Sequence, residues 1–368
     1  MRSAKAEGRV LLDVRPLQGP SAGRGIGSYV RGLIAGLAEE GFAGRLAFLA
    51  FEDRELPSLP SGPPVQTVRR RWHGRLRAYE EAAVLGFDLD RIRPALYHAV
   101  DFNLPRRAPC PVVVTVHDLI PWAYGGPRML GERVRYWAGK RLLARAELLL
   151  AVSRSSADDA IRLASVPPDR IRVVPEGVDP AFHPRPDARA EAAQRWGLAR
   201  PYFLFAGALD ARKDPAGLLR AWRAAKSAGA EVELVLAGDP GPQAPREMAG
   251  ARRLGRMSAD DLAVVYAGAA CLLFPSRYEG FGLPVVEAMA CGCPVVAYSN
   301  SSLPEVAGEA AILVADGDAE ALGRAAVEVA RDAERARRLR EAGLRRARRF
   351  TWAKAARATI GAYRSLLK

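Results

Sequence analysis

The chain has 368 residues, which is long for one core and comfortable for two domains. Hydrophobic residues make up 49% and charged residues 26%, the balance of a soluble globular protein, which excludes a disordered or fibrous one. The net charge of +14, from 55 Lys and Arg against 41 Asp and Glu, favours an anionic partner: nucleic acid, a phospholipid surface or a phosphorylated substrate.

Part of that charge is ordinary surface, since "RDAERARRLREAGLRRARRF" (331–350) reads as a solvated helix of mixed sign. No apolar run approaches the ~18 to 20 residues of a membrane span. The N-terminal "MRSAKAEGRVLLDV" carries too short an apolar stretch for a signal peptide. A cytoplasmic protein is expected. Four cysteines (Cys110, Cys271, Cys291, Cys293) make neither a disulfide framework nor a zinc site, and most sit in apolar runs where a free thiol packs as a small hydrophobe.

In chain order, a strand over 9–14 leads into "GPSAGRGIGSYVRGL" (19–33), which opens a helix over 26–39. Its glycines let backbone approach an anion at a helix N-terminus. The spacing is not a dinucleotide fingerprint, and a tight turn would use the same residues. A strand over 45–50 follows, then "RRRWHGRLRAYEEAAVLGF" (69–87), whose arginines with Trp72, Leu76 and Tyr79 suit an anionic interface or a solvated basic helix. Asp88-Leu89-Asp90 forms a D-x-D within this helix-like region and reads as a chance match to a metal motif.

A strand over 111–116 places His117 and Asp118 at its end. A structural histidine bonded to a backbone carbonyl and a substrate contact or proton relay weigh equally there. A helix over 128–145 and a strand over 147–152 close the first half. Proline-rich sequence over 175–193 is the linker candidate, giving domains at 1–178 and 195–351, a linker at 179–194 and a C-terminal helix at 352–368.

The second half starts again with strands over 201–207, 232–237, 271–275, 294–298 and 311–315. Strands alternating with helices argue for two doubly wound α/β domains, whose ligands bind beyond the carboxyl ends of the strands. "GALDARKDP" (207–215) puts Arg212 and Lys213 at such an end, just before Pro215 as a first helical residue. Bare surface cations at a helix start would oppose the helix dipole, so a diphosphate is the better partner. "RYEGFG" then leads from strand 271–275 into a helix through about Met289, with Glu279 in the loop and Glu287 one turn into the helix. The loop amides of Phe281, Gly282 and Leu283 suit an anion or a hydroxyl-rich ligand. The two glutamates fit vicinal hydroxyls of a ribose and a hexose, or else a cap plus a buried ion pair.

These residues carry a resemblance. "PSRYEGFGLPVVEAMACGCPVVA", with its E-x7-E pair, together with "VTVHDLIP", "AVSRSSADD", "RIRVVPEGVD", "GALDARKDP" and the closing "FTWAKAARATIGAYRSLL", resembles the retaining family-4 glycosyltransferases of GT-B fold along nearly the whole chain. The resemblance implies two Rossmann-like domains facing a cleft, with the C-terminal helix returning to the N-terminal, acceptor-side domain. It implies that Glu287 holds the ribose of the nucleotide and Glu279 the transferred sugar, so that ligand hydroxyls, not protein cations, satisfy them. Arg212 and Lys213 would bind the diphosphate, Phe281 to Leu283 the sugar and phosphate, and Gly25 would close over the diphosphate. His117 would stand by sugar and acceptor.

Three positions depart from the family's pattern. Ala208 stands where many members carry Arg, Glu176 where Asn is common in "PEGVD", and Asp214 where "RKN" is usual. The last two bring acidic groups towards the presumed site.

The implied reaction is transfer of a hexose from a nucleoside-diphosphate sugar, the co-substrate, with no metal and no other cofactor. GDP-mannose is favoured, with UDP-sugars next. The base pocket is expected along "ARRLGRMS" (251–258) and the acceptor is a saccharide or lipid-linked saccharide in surface-polysaccharide or glycolipid assembly. Peripheral contact with an anionic membrane is expected, and nucleic acid is not. The alternatives are a nucleotide-sugar epimerase of the same fold and a non-catalytic basic nucleic-acid-binding protein, although no aromatic-basic reader motif is present.

Overall fold

The computed structural model describes residues 8–23, 25–59, 62–69, 77–124, 129–239, 248 and 250–367. The chain divides into two compact units, Met1–Gly177 with Thr351–Lys368, and Val178–Phe350.

The first unit carries β1 (Val10–Asp13), α1 (Gly25–Glu39), β2 (Leu46–Phe51), β3 (Val65–Val68), α2 (Arg77–Ile92), β4 (Leu96–Ala99), β5 (Val112–Val116), α3 (Ile120–Ala123), α4 (Leu130–Leu143), β6 (Leu148–Ala151), α5 (Arg154–Ala164) and β7 (Ile171–Val173). Its described strands form a parallel sheet ordered β3-β2-β1-β4-β5-β6-β7. Strands such as "VLLD" and "VVVTV" are buried throughout, as expected of parallel strands covered by helices on both faces.

The second unit carries α6 (Ala188–Trp196), β8 (Tyr202–Ala206), α7 (Pro215–Ser227), β9 (Glu233–Ala237), β10 (Arg252–Gly255), α8 (Ala259–Gly268), β11 (Cys271–Phe274), α9 (Leu283–Ala290), β12 (Val295–Ser299), α10 (Leu303–Ala307), β13 (Ile312–Ala315), α11 (Ala319–Arg331) and α12 (Ala333–Ala347). Its described strands are again parallel, in the order β10-β9-β8-β11-β12-β13. The order reverses between β1 and β4 in one sheet and between β8 and β11 in the other. At such switch points the loops leaving adjacent strands diverge and open a crevice at the carboxyl ends.

The last helix, α13 (Trp352–Leu366), belongs to the first unit. It lies on α1 because α1 has glycines where they meet. A Cβ on Gly32 would stand 1.9 Å from the Trp352 ring, and one on Gly36 would stand 2.4 Å from the Trp352 carbonyl oxygen. Across the sheet side, His98 of β4 is fully buried, with Nδ1 2.6 Å from Tyr363 Oη of α13 and Nε2 2.8 Å from Thr115 Oγ1 of β5.

Residues 179–194, expected as a linker, lie within the second unit and include most of α6, whose Ala188 and Ala192 are buried and which packs on α8. The thiols are free, with Cys271, Cys291 and Cys293 buried and Cys110 half-buried. Among the described residues, no helix is long and apolar enough to cross a membrane. Of the basic stretch 69–87, residues 70–76, including Trp72 and Leu76, and the side chain of Tyr79 lie outside the described residues. Asp88 of the D-x-D pairs with Arg91 at 3.6 Å, and Leu89 lies in the core.

Candidate functional site

In the second unit the chemistry gathers at the switch point between β8 and β11. After β8, Asp210 accepts from the backbone N–H groups of Arg212 and Lys213 at 3.1 and 3.2 Å, which tightens residues Ala211–Lys213 into one 3-10 turn. Asp214 follows with φ +44°, a left-handed conformation that Asp tolerates better than most residues. Its carboxylate caps α7 by accepting from Gly217 N at 2.8 Å. The acid that stands where the family carries "RKN" is therefore committed to a helix start.

After β11, the loop carries Glu279 back across this turn. Glu279 is only 6% exposed. Its Oε1 accepts from Lys213 Nζ and Ser276 Oγ, each at 2.5 Å, and its Oε2 accepts from Arg212 Nη1 at 2.7 Å. Arg212 Nη1 also donates to the Tyr278 carbonyl at 3.2 Å. Burial would lift the Glu279 carboxyl, but the Arg212 and Lys213 charges hold it below the ordinary carboxylate range. Burial depresses the Lys213 ammonium, with Glu279 opposing. The resemblance assigned Glu279 to ligand hydroxyls instead of protein cations. The structure corrects that pairing: a carboxylate this buried needs compensating charge, and the two cations supply it.

Serine hydroxyls hold the loop in place. Ser301 Oγ accepts from Glu279 N at 2.9 Å, and Ser302 Oγ donates to the Glu279 and Phe281 carbonyls at 3.1 and 2.8 Å. Phe281 is buried edge-on against Phe350, with ring centroids 5.4 Å apart. Gly282 turns the chain into α9 with φ +102°, and Leu283 and Pro284 form that helix's first turn. Glu287, half-buried in α9, accepts from Tyr266 Oη of α8 at 3.1 Å. Arg212, Lys213 and Glu279 thus form one hydrogen-bonded cluster, and Glu287 is bonded to Tyr266 of α8. Along the expected base pocket, Arg256 pairs with Asp239 at 2.8 Å.

In the first unit, His117 leaves the end of β5. Its Nδ1 lies 2.9 Å from Glu176 Oε1, and its ring meets the edge of Tyr29 at 4.7 Å between centroids. Among the described residues the imidazole bonds neither a backbone carbonyl nor Asp118, which accepts from Ile120 N at 3.1 Å. Glu176 entered the sequence reading as a departure near the site. Its role as the partner of His117, 59 residues away, was not visible there. Gly25 is the first residue of α1 and is exposed, and a Cβ there would meet no atom within 4 Å. Packing does not demand glycine at that position. Gly27, by contrast, would drive a Cβ to 2.2 Å from the Ala22 oxygen.

Comparison with known proteins agrees on both units. Residues 23–182 match the model of "Glycosyltransferase Family 4", and residues 188–346 match that of "Glycosyl transferases group 1". The O-antigen chain mannosyltransferase B of Escherichia coli is 32% identical over 324 residues, covering 80% of this chain and 84% of that protein. Sucrose-phosphate synthase from Thermosynechococcus elongatus superposes with a TM-score of 0.82 at 22% identity, over 98% of this chain and 99% of that one. The Anabaena protein HepE, in complex with UDP and glucose, does so with a TM-score of 0.76 at 20% identity, over 98% and 100%.

Proposed function

The chain belongs to the family-4 glycosyltransferases of GT-B fold, and from that membership we propose that it is a retaining, metal-independent hexosyltransferase. It moves mannose from GDP-mannose to an acceptor hydroxyl in surface-polysaccharide or glycolipid assembly. The observation that carries this reading is the cluster at the β8–β11 switch point, where two cations and one carboxylate meet within 2.7 Å beside the start of α9.

Breaking the bond between the anomeric carbon and the leaving oxygen builds positive charge on the sugar and negative charge on the diphosphate. Arg212 and Lys213, oriented by Glu279, together with the positive end of α9 are assigned to take that negative charge, where such stabilisation is worth most. The departing phosphate oxygen then accepts the proton of the acceptor hydroxyl, so no separate base and no metal is needed. Glu279 orients Arg212 and Lys213 for the diphosphate, and Glu287 holds the ribose. His117 acts on sugar and acceptor, and Gly25 leaves room for the diphosphate.

Mannose as the sugar is supported by the mannosyltransferase relative. A UDP-sugar is the second donor reading, supported by the UDP and glucose held by HepE. A lipid-linked acceptor and peripheral contact with an anionic membrane are supported by α4. Its Leu130, Val134 and Trp137 are exposed at i, i+4 and i+7, on one helix face that also carries Arg141, whose guanidinium lies over the Trp137 ring.

A thermal-shift screen with GDP, UDP and ADP tests the donor. A ligand at ~100 times its dissociation constant adds about 2.7 kcal/mol of stability. GDP is expected to raise the melting temperature most. A larger rise with UDP reassigns the donor, and no rise with any of the three removes the nucleotide-sugar reading.

A further inference from the structure

Three facts about His117 stand together. Nδ1 faces the Glu176 carboxylate at 2.9 Å, and Glu176 is only 4% exposed. Nε2 is buried and has no hydrogen-bond partner among the described residues. The residue lines a cavity of about 40 Å³ with Ile26, Asp101, Phe102, Thr115 and Asp118, room for one hydroxyl-sized group. A buried polar atom without a partner costs stability unless a ligand satisfies it.

We propose that Glu176 is the positioning residue of His117: it accepts the Nδ1 proton, orients the ring, and leaves Nε2–H to donate to an oxygen of the bound sugar or acceptor. The inference rests on the glycosyltransferase reading and deepens it by assigning the acid that stands where the family commonly has asparagine. Asparagine would orient the ring without adding charge, whereas glutamate also favours the imidazolium.

The surroundings bear on which form the ring takes. Burial, the largest effect, works against the cation. Glu176, Asp101 after β4 and Asp118 beside the ring outweigh it, so the imidazole is held above its ordinary range. His98 does not add competing charge, because burial takes it down to about 3 and leaves it neutral. Tyr29, packed on the ring, is kept protonated by burial. The sign follows: Glu176→Gln removes the charge that opposes burial, so His117 loses its proton at lower pH than in the wild type.

The test uses the full chain with Glu176→Gln, Glu176→Asp and His117→Ala, each checked first for an intact cooperative melt. NMR titration follows the imidazoles, with His117 assigned from the spectrum of His117→Ala, and needs no turnover. In Glu176→Gln, His117 should titrate at lower pH, and the alkaline limb of kcat/KM should move the same way. Transfer at the alkaline edge should drop about tenfold or more, with nucleoside diphosphate affinity unchanged and Glu176→Asp retaining most of the wild-type profile. An unmoved titration and pH profile would overturn the pairing. Movement of the acid limb instead would overturn the donor assignment, since it would mean that the neutral ring acts. A moved titration in a chain that transfers no sugar contradicts the glycosyltransferase reading and leaves the pairing standing.

Discussion

Glu279 and Glu287 should fail differently when changed. On the proposed reading Glu287→Ala removes the acceptor of ribose hydroxyls, a carboxylate that accepts from Tyr266 Oη in this structure. A charge-assisted hydrogen bond is worth about 1.5–3 kcal/mol, so calorimetry should find nucleoside diphosphate binding weakened roughly ten- to hundred-fold. Glu279→Ala instead strands Lys213, which is 5% exposed, and should cost about 3–5 kcal/mol in ligand-free denaturation. Nucleoside diphosphate should recover part of that loss by replacing the missing anion, an effect the wild type does not show to the same degree. The pH dependence has a definite sign. Because the folded carboxyl titrates below its ordinary value, its contribution is present above the unfolded pKa and is lost as pH falls through the folded one. Glu279→Gln should therefore lose less stability than the wild type on acidification. Equal acid dependence of the two proteins would show that the cluster carries no net stability.

The contact between α1 and α13 is decided by glycines, which separates two kinds of glycine on one helix. Gly32→Ala and Gly36→Ala should each overpack against Trp352 and lower stability by about 1–3 kcal/mol. Gly25→Ala meets open space and should change stability by less than about 0.5 kcal/mol. It should nonetheless slow transfer if the diphosphate approaches that backbone, and a melt paired with a turnover assay checks both. Elements differ in legibility for a physical reason. Runs such as "VVVTV" and "YFLFA" are buried on both faces and stand out in the sequence. Three of the four edge strands, β3, β7 and β10, read "VQTV", "IRV" and "RRLG", with exposed positions that mask any pattern, whereas the fourth, β13, keeps the apolar run "ILVA". The central strand β4 was also missed, since "LYHA" is four residues with a buried histidine that only Thr115 and Tyr363 explain. The chemical groups at the site were legible in the same way: Arg212, Lys213, Glu279 and Glu287 follow from motif and strand-end position. Their mutual pairing was not, because Arg212 and Glu279 meet from 67 residues apart.

At the scale of the molecule, the excess of positive charge and the exposed face of α4 predict surface behaviour. Partition onto anionic vesicles at low salt should exceed partition onto neutral ones and fall as salt screens the charge. Val134→Glu with Trp137→Glu should reduce it; equal partition onto both vesicle types would remove the membrane from the reading. The central claim concerns the reaction itself, and one measurement reaches it most directly. The purified chain is incubated with GDP-mannose, a mannose-terminated saccharide acceptor and a metal chelator. Released GDP is counted against product, and the new linkage is read from its anomeric signals by NMR. The expected result is one GDP per new α-linkage, at a rate the chelator does not change. A β-linked product, loss of transfer with the chelator, or conversion of the donor sugar without any acceptor would contradict it.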